Sequence, residues 1–227
     1  MKKLTTLLAG VALAAGANAA TVAFTDTFGL QTTNWTHLLG ASQFNPGLGT
    51  LNSATFTFTD DIVQSFRAEN TGGSPDTLTP IAGAQFLFRQ SLATLLSTTL
   101  TGTGVSFNAT AYDGVTDFGG TSGTIFPNVN VSNTGVITIT GPALATLIGL
   151  GTLGSVGYDV RAIGLGTIGS NNGTVTAGIT TQARYNLNLV YDFTPRVTTT
   201  VPEPGSMALF GVALAGLAVL RRKVNKA

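Results

Sequence analysis

The chain has 227 residues, a formal net charge of +1, only 9% charged residues, 29 glycines and no cysteine. The missing cysteines exclude a disulfide framework and thiolate metal sites, so any folded part rests on its apolar core. All four lysines lie in the two ends; between Ala20 and Val201 five arginines against nine acids leave −4, which excludes a basic nucleic-acid surface.

At the N-terminus Met1-Lys2-Lys3 supplies positive charge, Leu4 to Gly16 an apolar run, and Ala17-Asn18-Ala19 a small-x-small site. These are the three regions of a secretory signal peptide, with cleavage by signal peptidase expected between Ala19 and Ala20. About 180 residues remain before the C-terminal segment, enough for one domain that buries roughly 70% of its unfolded surface. Residues 1–19 therefore read as a signal peptide and 20–200 as an exported domain.

Two-residue periods run through that domain. Val22/Phe24 comes first, then Trp35-Thr36-His37-Leu38-Leu39, a strand carrying the only histidine and the only tryptophan. Thr55-Phe56-Thr57-Phe58-Thr59 alternates strictly, with phenylalanines on one face and threonines on the other. Asp60-Asp61, after Phe58, reads as a turn. Phe86/Phe88, Val105/Phe107 and Ile137/Ile139 continue the series. A helical turn is expected after Gly141, where Pro142 can take the first helical position ahead of Leu144, Leu147 and Ile148. Tyr158/Val160 and Val175/Ala177/Ile179 follow. The last run points Tyr185, Leu187, Leu189, Tyr191 and Phe193 inward and Asn186, Asn188 and Asp192 outward. Ten or so short strands separated by Gly, Asn and Asp indicate an all-β fold, a single antiparallel β-sandwich in which two half-apolar sheets cover each other.

Chemistry-bearing patterns within the domain are sparse. Gly149-Leu-Gly151-Thr-Leu-Gly154 and Gly164-Leu-Gly166-Thr-Ile-Gly169 both satisfy GxGxxG. The second runs into Ser170-Asn171-Asn172-Gly173, a turn, where a phosphate site needs a helix, so both read as pieces of neighbouring strands. His37 could serve a Ser-His-Asp arrangement, but no nucleophile elbow accompanies it. Trp35 could stack on a sugar ring or belong to the core. In Asp113-Gly114-Val115-Thr116-Asp117-Phe118-Gly119-Gly120, Asp113 and Asp117 could give oxygens to Ca²⁺. The competing reading makes them turn residues that bond local backbone N–H groups. No other cofactor is implied.

Val201-Pro202-Glu203-Pro204 opens the final segment, 201–227. An uncharged stretch follows from Gly205 to Leu220, then Arg221-Arg222-Lys223. As a helix, 205–220 reaches about 24 Å, short of the roughly 30 Å hydrocarbon core, a gap the basic side chains can close by extending toward the interface. With no polar face, the stretch reads as a transmembrane helix, and the basic cluster predicts a cytoplasmic C-terminus with the domain outside.

The order of motif, span and basic stop resembles the PEP-CTERM sorting signal of Gram-negative bacteria, over Val201 to Lys223. The resemblance implies processing by exosortase, an integral membrane enzyme, near Pro202-Glu203-Pro204. It also implies release or attachment at the surface, in species many of which make exopolysaccharide and biofilm. The domain itself resembles the choice-of-anchor E family from about Phe24 to Phe193. That resemblance is carried by Thr25-Asp26-Thr27-Phe28-Gly29 with Trp35, by Phe44-Asn45-Pro46-Gly47-Leu48-Gly49-Thr50-Leu51, by Glu69-Asn70 with Ser74-Pro75, and by Tyr112-Asp113-Gly114 with Asp117 to Gly123. It implies a shared fold and transfers no catalytic residue. The functional expectation is a non-enzymatic surface or matrix protein. The alternatives are a polysaccharide-binding module, with Ca²⁺ at Asp113/Asp117, and a secreted hydrolase.

Overall fold

The computed structural model describes residues 19–149, 154–196 and 211–214. The chain divides into a unit ending at Pro195 and a second beginning at Arg196. In the first, strand follows strand: β1 (Ala20–Thr32), β2 (Trp35–Ser42), β3 (Gly49–Asn70), β4 (Asp76–Gln90), β5 (Ala93–Thr103), β6 (Phe107–Ala109), β7 (Gly123–Ile125) and β8 (Val129–Thr140). A 3-10 helix over Gly141–Leu147 leads on to β9 (Ser155–Gly164), β10 (Thr167–Gly169) and β11 (Val175–Pro195). Pro142 stands in the first turn of that helix and Leu144 and Leu147 are buried, as the sequence indicated.

Two antiparallel sheets result. In one, β1 pairs with β11 and β11 with β3, whose other edge carries β8 and, further along, β7. In the other, β4 holds β5 and β6 on one edge and β9 and β10 on the other, and β2 closes the sheet against β9. The alternating faces meet between the sheets. Phe56 of β3 packs on Phe88 of β4 and Tyr158 of β9, with ring centroids 5.4 and 5.5 Å apart, and Phe58 stacks on Tyr185 at 5.3 Å. Tyr185, Leu187, Leu189, Tyr191 and Phe193 are all buried, so the inward face read from β11 is the observed one.

Three expectations change. The Asp60-Asp61 pair is not a turn but lies within β3, whose 22 residues run without a break. Period two explains it: Asp60 points into the core, where Thr98 Oγ1 of the facing sheet donates to it, and Asp61 points out to Arg184, its cross-strand partner on β11. The strands are also not uniformly short, since β11 spans 21 residues. Finally, Val105 lies outside any strand and is exposed and Ile179 is exposed within β11, so two of the apolar alternations mark the core only in part, through Phe107 and Val175, which pack against it.

The second GxGxxG copy forms strand, break and strand along one neighbour. Gly164 pairs with Ala84 and Thr167 with Ile81, both on β4, and no helix opens on Gly169. The break needs glycine because Gln64 reaches across from β3, its Oε1 accepting from Gly83 N at 2.8 Å. A Cβ on Gly166 would lie 1.6 Å from Gln64 Nε2. Of the first copy, Gly149 donates to Phe44 O and residues 150–153 lie outside the described residues.

Candidate functional site

Most of the sorting segment, including Val201, Pro202, Glu203, Pro204, Arg221 and Arg222, lies outside the described residues. Within 205–220 only Gly211–Leu214 are described; they are helical and exposed. Among the described residues no helix is long and apolar enough to cross a membrane. Of the cleavage residues, Ala17 lies outside the described range, Ala19 is exposed and Ala20 opens β1, opposite Phe193 of β11.

At the end of the sheets where β3 stops and β4 starts, polar residues gather. Glu69 is buried and accepts hydrogen bonds from Phe118 N at 2.7 Å and Ser122 Oγ at 2.5 Å. Asn70 donates to Ser74 O and Thr110 O and accepts from Gly72 N. Asp76 accepts from Ser170 Oγ and from the backbone N–H groups of Thr77, Asn171 and Asn172. Burial opposes the charge on Asp76, but these four donors outweigh it and hold its carboxyl below the ordinary carboxylate range. The Arg67 guanidinium lies 4.6 Å over the Phe118 ring. Sequence motifs separated by dozens of residues thus meet at one end, and their carboxylates and amides fasten three loops.

Asp113 and Asp117 belong to the same end. Asp113 Oδ1 accepts from Val115 N at 3.0 Å and Asp117 Oδ1 from Gly119 N at 2.8 Å, each across two residues. Gly114 and Gly120 have φ of 97° and 63°, backbone that favours glycine. Asp113 Oδ2 sits 2.9 Å from where a Gly120 Cβ would stand. No group of three His, Cys, Asp or Glu side chains is placed to hold a metal ion among the described residues.

A second polar cluster bridges the sheets at β1 and β2, and no sequence spacing joined its members. Tyr185 OH donates to Asp26 Oδ2 at 2.5 Å and meets His37 Nδ1 at 2.7 Å. His37 and Asp26 are themselves 3.9 Å apart. Phe28 stacks on the imidazole, with centroids 4.4 Å apart, and packs against Trp35 at 4.6 Å. Burial first, then the hydrogen bond to Asp26 and its charge, push the Tyr185 phenol far above its ordinary pKa, so it remains a neutral donor. His37 therefore contacts a phenol and a carboxylate. The pairs are 148 and 159 residues apart, which is why linear reading missed them. The advance signals were single residues, His37 as the only histidine and Asp26 inside the Thr25–Gly29 motif, and nothing linear tied either to Tyr185.

The comparisons with known proteins concern mainly the C-terminal segment. Residues 200–223 match the family described as the PEP-CTERM protein-sorting motif. The motif indicates an exosortase-targeted protein, exported through membrane anchoring for the cell surface. A search of curated proteins finds no match. Among solved structures, the infectious bursal disease virus Gx strain is similar at 11% identity and TM-score 0.16, over 87% of this chain and 47% of that one. The Gt strain of that virus gives 11% and 0.13, over 89% and 48%. The virus's T=1 particles give 10% and 0.14, over 85% and 47%. The chain thus spans about half the length of those viral chains. At such TM-scores the likeness carries no argument.

Proposed function

We propose that this is a non-enzymatic surface or extracellular-matrix protein. It is secreted with a signal peptide at 1–19, anchored by a membrane helix near 205–220, and processed by exosortase. The observation that carries this reading is the PEP-CTERM motif over 200–223. Residues 20–200 form its working part, a β-sandwich of the choice-of-anchor E type; the two facing sheets and the meeting of Glu69-Asn70 with Phe118 and Ser122 support that assignment. Its place is a biofilm or exopolysaccharide layer. The test is fractionation with mass analysis of a Pro202→Ala/Pro204→Ala variant, which accumulates as the longer, membrane-bound precursor. A variant identical to wild type in mass and compartment overturns the reading.

A second reading, a polysaccharide-binding module, is supported by the loops gathered at one end, since loops on a rigid scaffold commonly carry recognition. Asp113 and Asp117 would then share a Ca²⁺. Calcium titration calorimetry and a glycan array decide this; a flat response to both removes it.

A further inference from the structure

Ala20 pairs with Phe193, so the chain enters the first unit beside the point where it leaves at Pro195. Both segments read as membrane-directed therefore attach to one end of the sheets. Six residues separate Pro195 from Pro202, so even fully extended chain places that end within about 25 Å of the motif. The surface around it differs from the rest of the molecule. Here lie the loop Gln43–Leu48, pinned by Phe44, which packs on Phe193 at 5.2 Å, and the 3-10 helix Gly141–Leu147 after β8. From Leu38 to Thr59 and from Val136 to Tyr158, the stretches that reach this end, there is no Asp, Glu, Lys or Arg, and Leu48 is 42% exposed. Near this end the described charges are Asp192, Arg196 and the Arg89–Asp159 ion pair, whose two charges offset each other and whose side chains are largely buried. The opposite end carries Arg67, Glu69, Asp76, Asp113 and Asp117. The two are separated by the length of β3, 22 residues or roughly 70 Å of extended strand.

We infer that the anchored protein stands end-on, with the uncharged Gln43–Leu48 loop and Gly141–Leu147 helix against the lipid bilayer and the polar loop end presented outward. This rests on the membrane-anchoring reading above and adds a direction to it. A neutral surface suits the position, because acidic groups there would face anionic headgroups at short range.

The cysteine-free chain allows a direct test. Single cysteines replace Leu48 and Ala143 at one end and Gly73 and Val115 at the other, and each is labelled with a fluorophore. The full-length protein is then reconstituted into phosphatidylethanolamine/phosphatidylglycerol vesicles containing a headgroup quencher. Labels at 48 and 143 should be quenched several-fold more than those at 73 and 115, and a Gly/Ser spacer of about ten residues after Arg196 should abolish the difference. Equal quenching at both ends of the full-length protein without the spacer, or stronger quenching at 73 and 115, overturns the orientation while leaving anchoring intact. Failure of the full chain to float with vesicles instead overturns anchoring, and this proposal with it.

Discussion

Asp60 is fully buried between the sheets, with Thr98 Oγ1 donating to Oδ2 and no partner for Oδ1. Burial pushes its pKa up to about 6, although the Thr98 bond opposes the rise. A carboxyl raised in the folded state binds its proton more tightly there than in the unfolded chain. The stability that Asp60 contributes is therefore greatest near and below the ordinary value of 3.8, falls as pH climbs to about 6, and stays lower above that. Asp60→Asn should raise stability above pH 6 by about 3 kcal/mol and flatten that slope, read from urea midpoints across the range. Asp76 has the opposite sign: its lowered pKa gives stability that is present at neutral pH and lost as pH falls through the lowered value. Asp76→Ala should accordingly destabilise at neutral pH, with the gap to wild type narrowing in acid. Neither behaviour was legible in the sequence. An Asp-Asp pair resembles a turn until Thr98, 38 residues on, is known to face it. Asp76 gains its donors from 94 to 96 residues away, apart from Thr77.

Among elements, β3 and β11 form the longest pairing, and their contributions differ sharply by face. Inward, Phe58 stacks on Tyr185 and Phe88 and edges Phe86. Outward, Arg184 Nε reaches Asp61 at 3.1 Å with the arginine side chain 58% exposed. Phe58→Ala should cost about 3–5 kcal/mol, a cavity in a packed core, while Arg184→Ala should cost roughly 0.2–1 kcal/mol because solvent screens the pair. Chemical denaturation of both variants checks the ratio; comparable losses would show that the exposed face matters as much as the core. The stretches Thr55–Thr59 and Tyr185–Phe193 could be read beforehand because strict alternation encodes a half-buried strand. Their true lengths could not. Asp60 and Gln64 interrupt the apolar face, and only bonds from the other sheet let the strand continue. The 3-10 helix was legible for the reverse reason: Pro142 and its following leucines are a local signal.

For the whole molecule, the division at Pro195/Arg196 coincides with the last residue of β11. A chain ending at Arg196 should keep the melting temperature of the full precursor, measured by circular dichroism in detergent; a large drop would mean that the C-terminal segment contributes to the fold. The C-terminal sorting motif was the most legible layer, because an address segment is read by machinery as a linear pattern and needs no partners from elsewhere in the chain. Biochemical role was the least legible, since nothing linear marks the residues that converge in space. Trp35 is the sole indole of the chain, wedged between Phe28 of β1, Phe86 of β4 and Tyr185 of β11. Its emission should therefore shift to the red whenever β1 peels away, giving a label-free optical signal of whether the newly exported N-terminal strand has zipped into place.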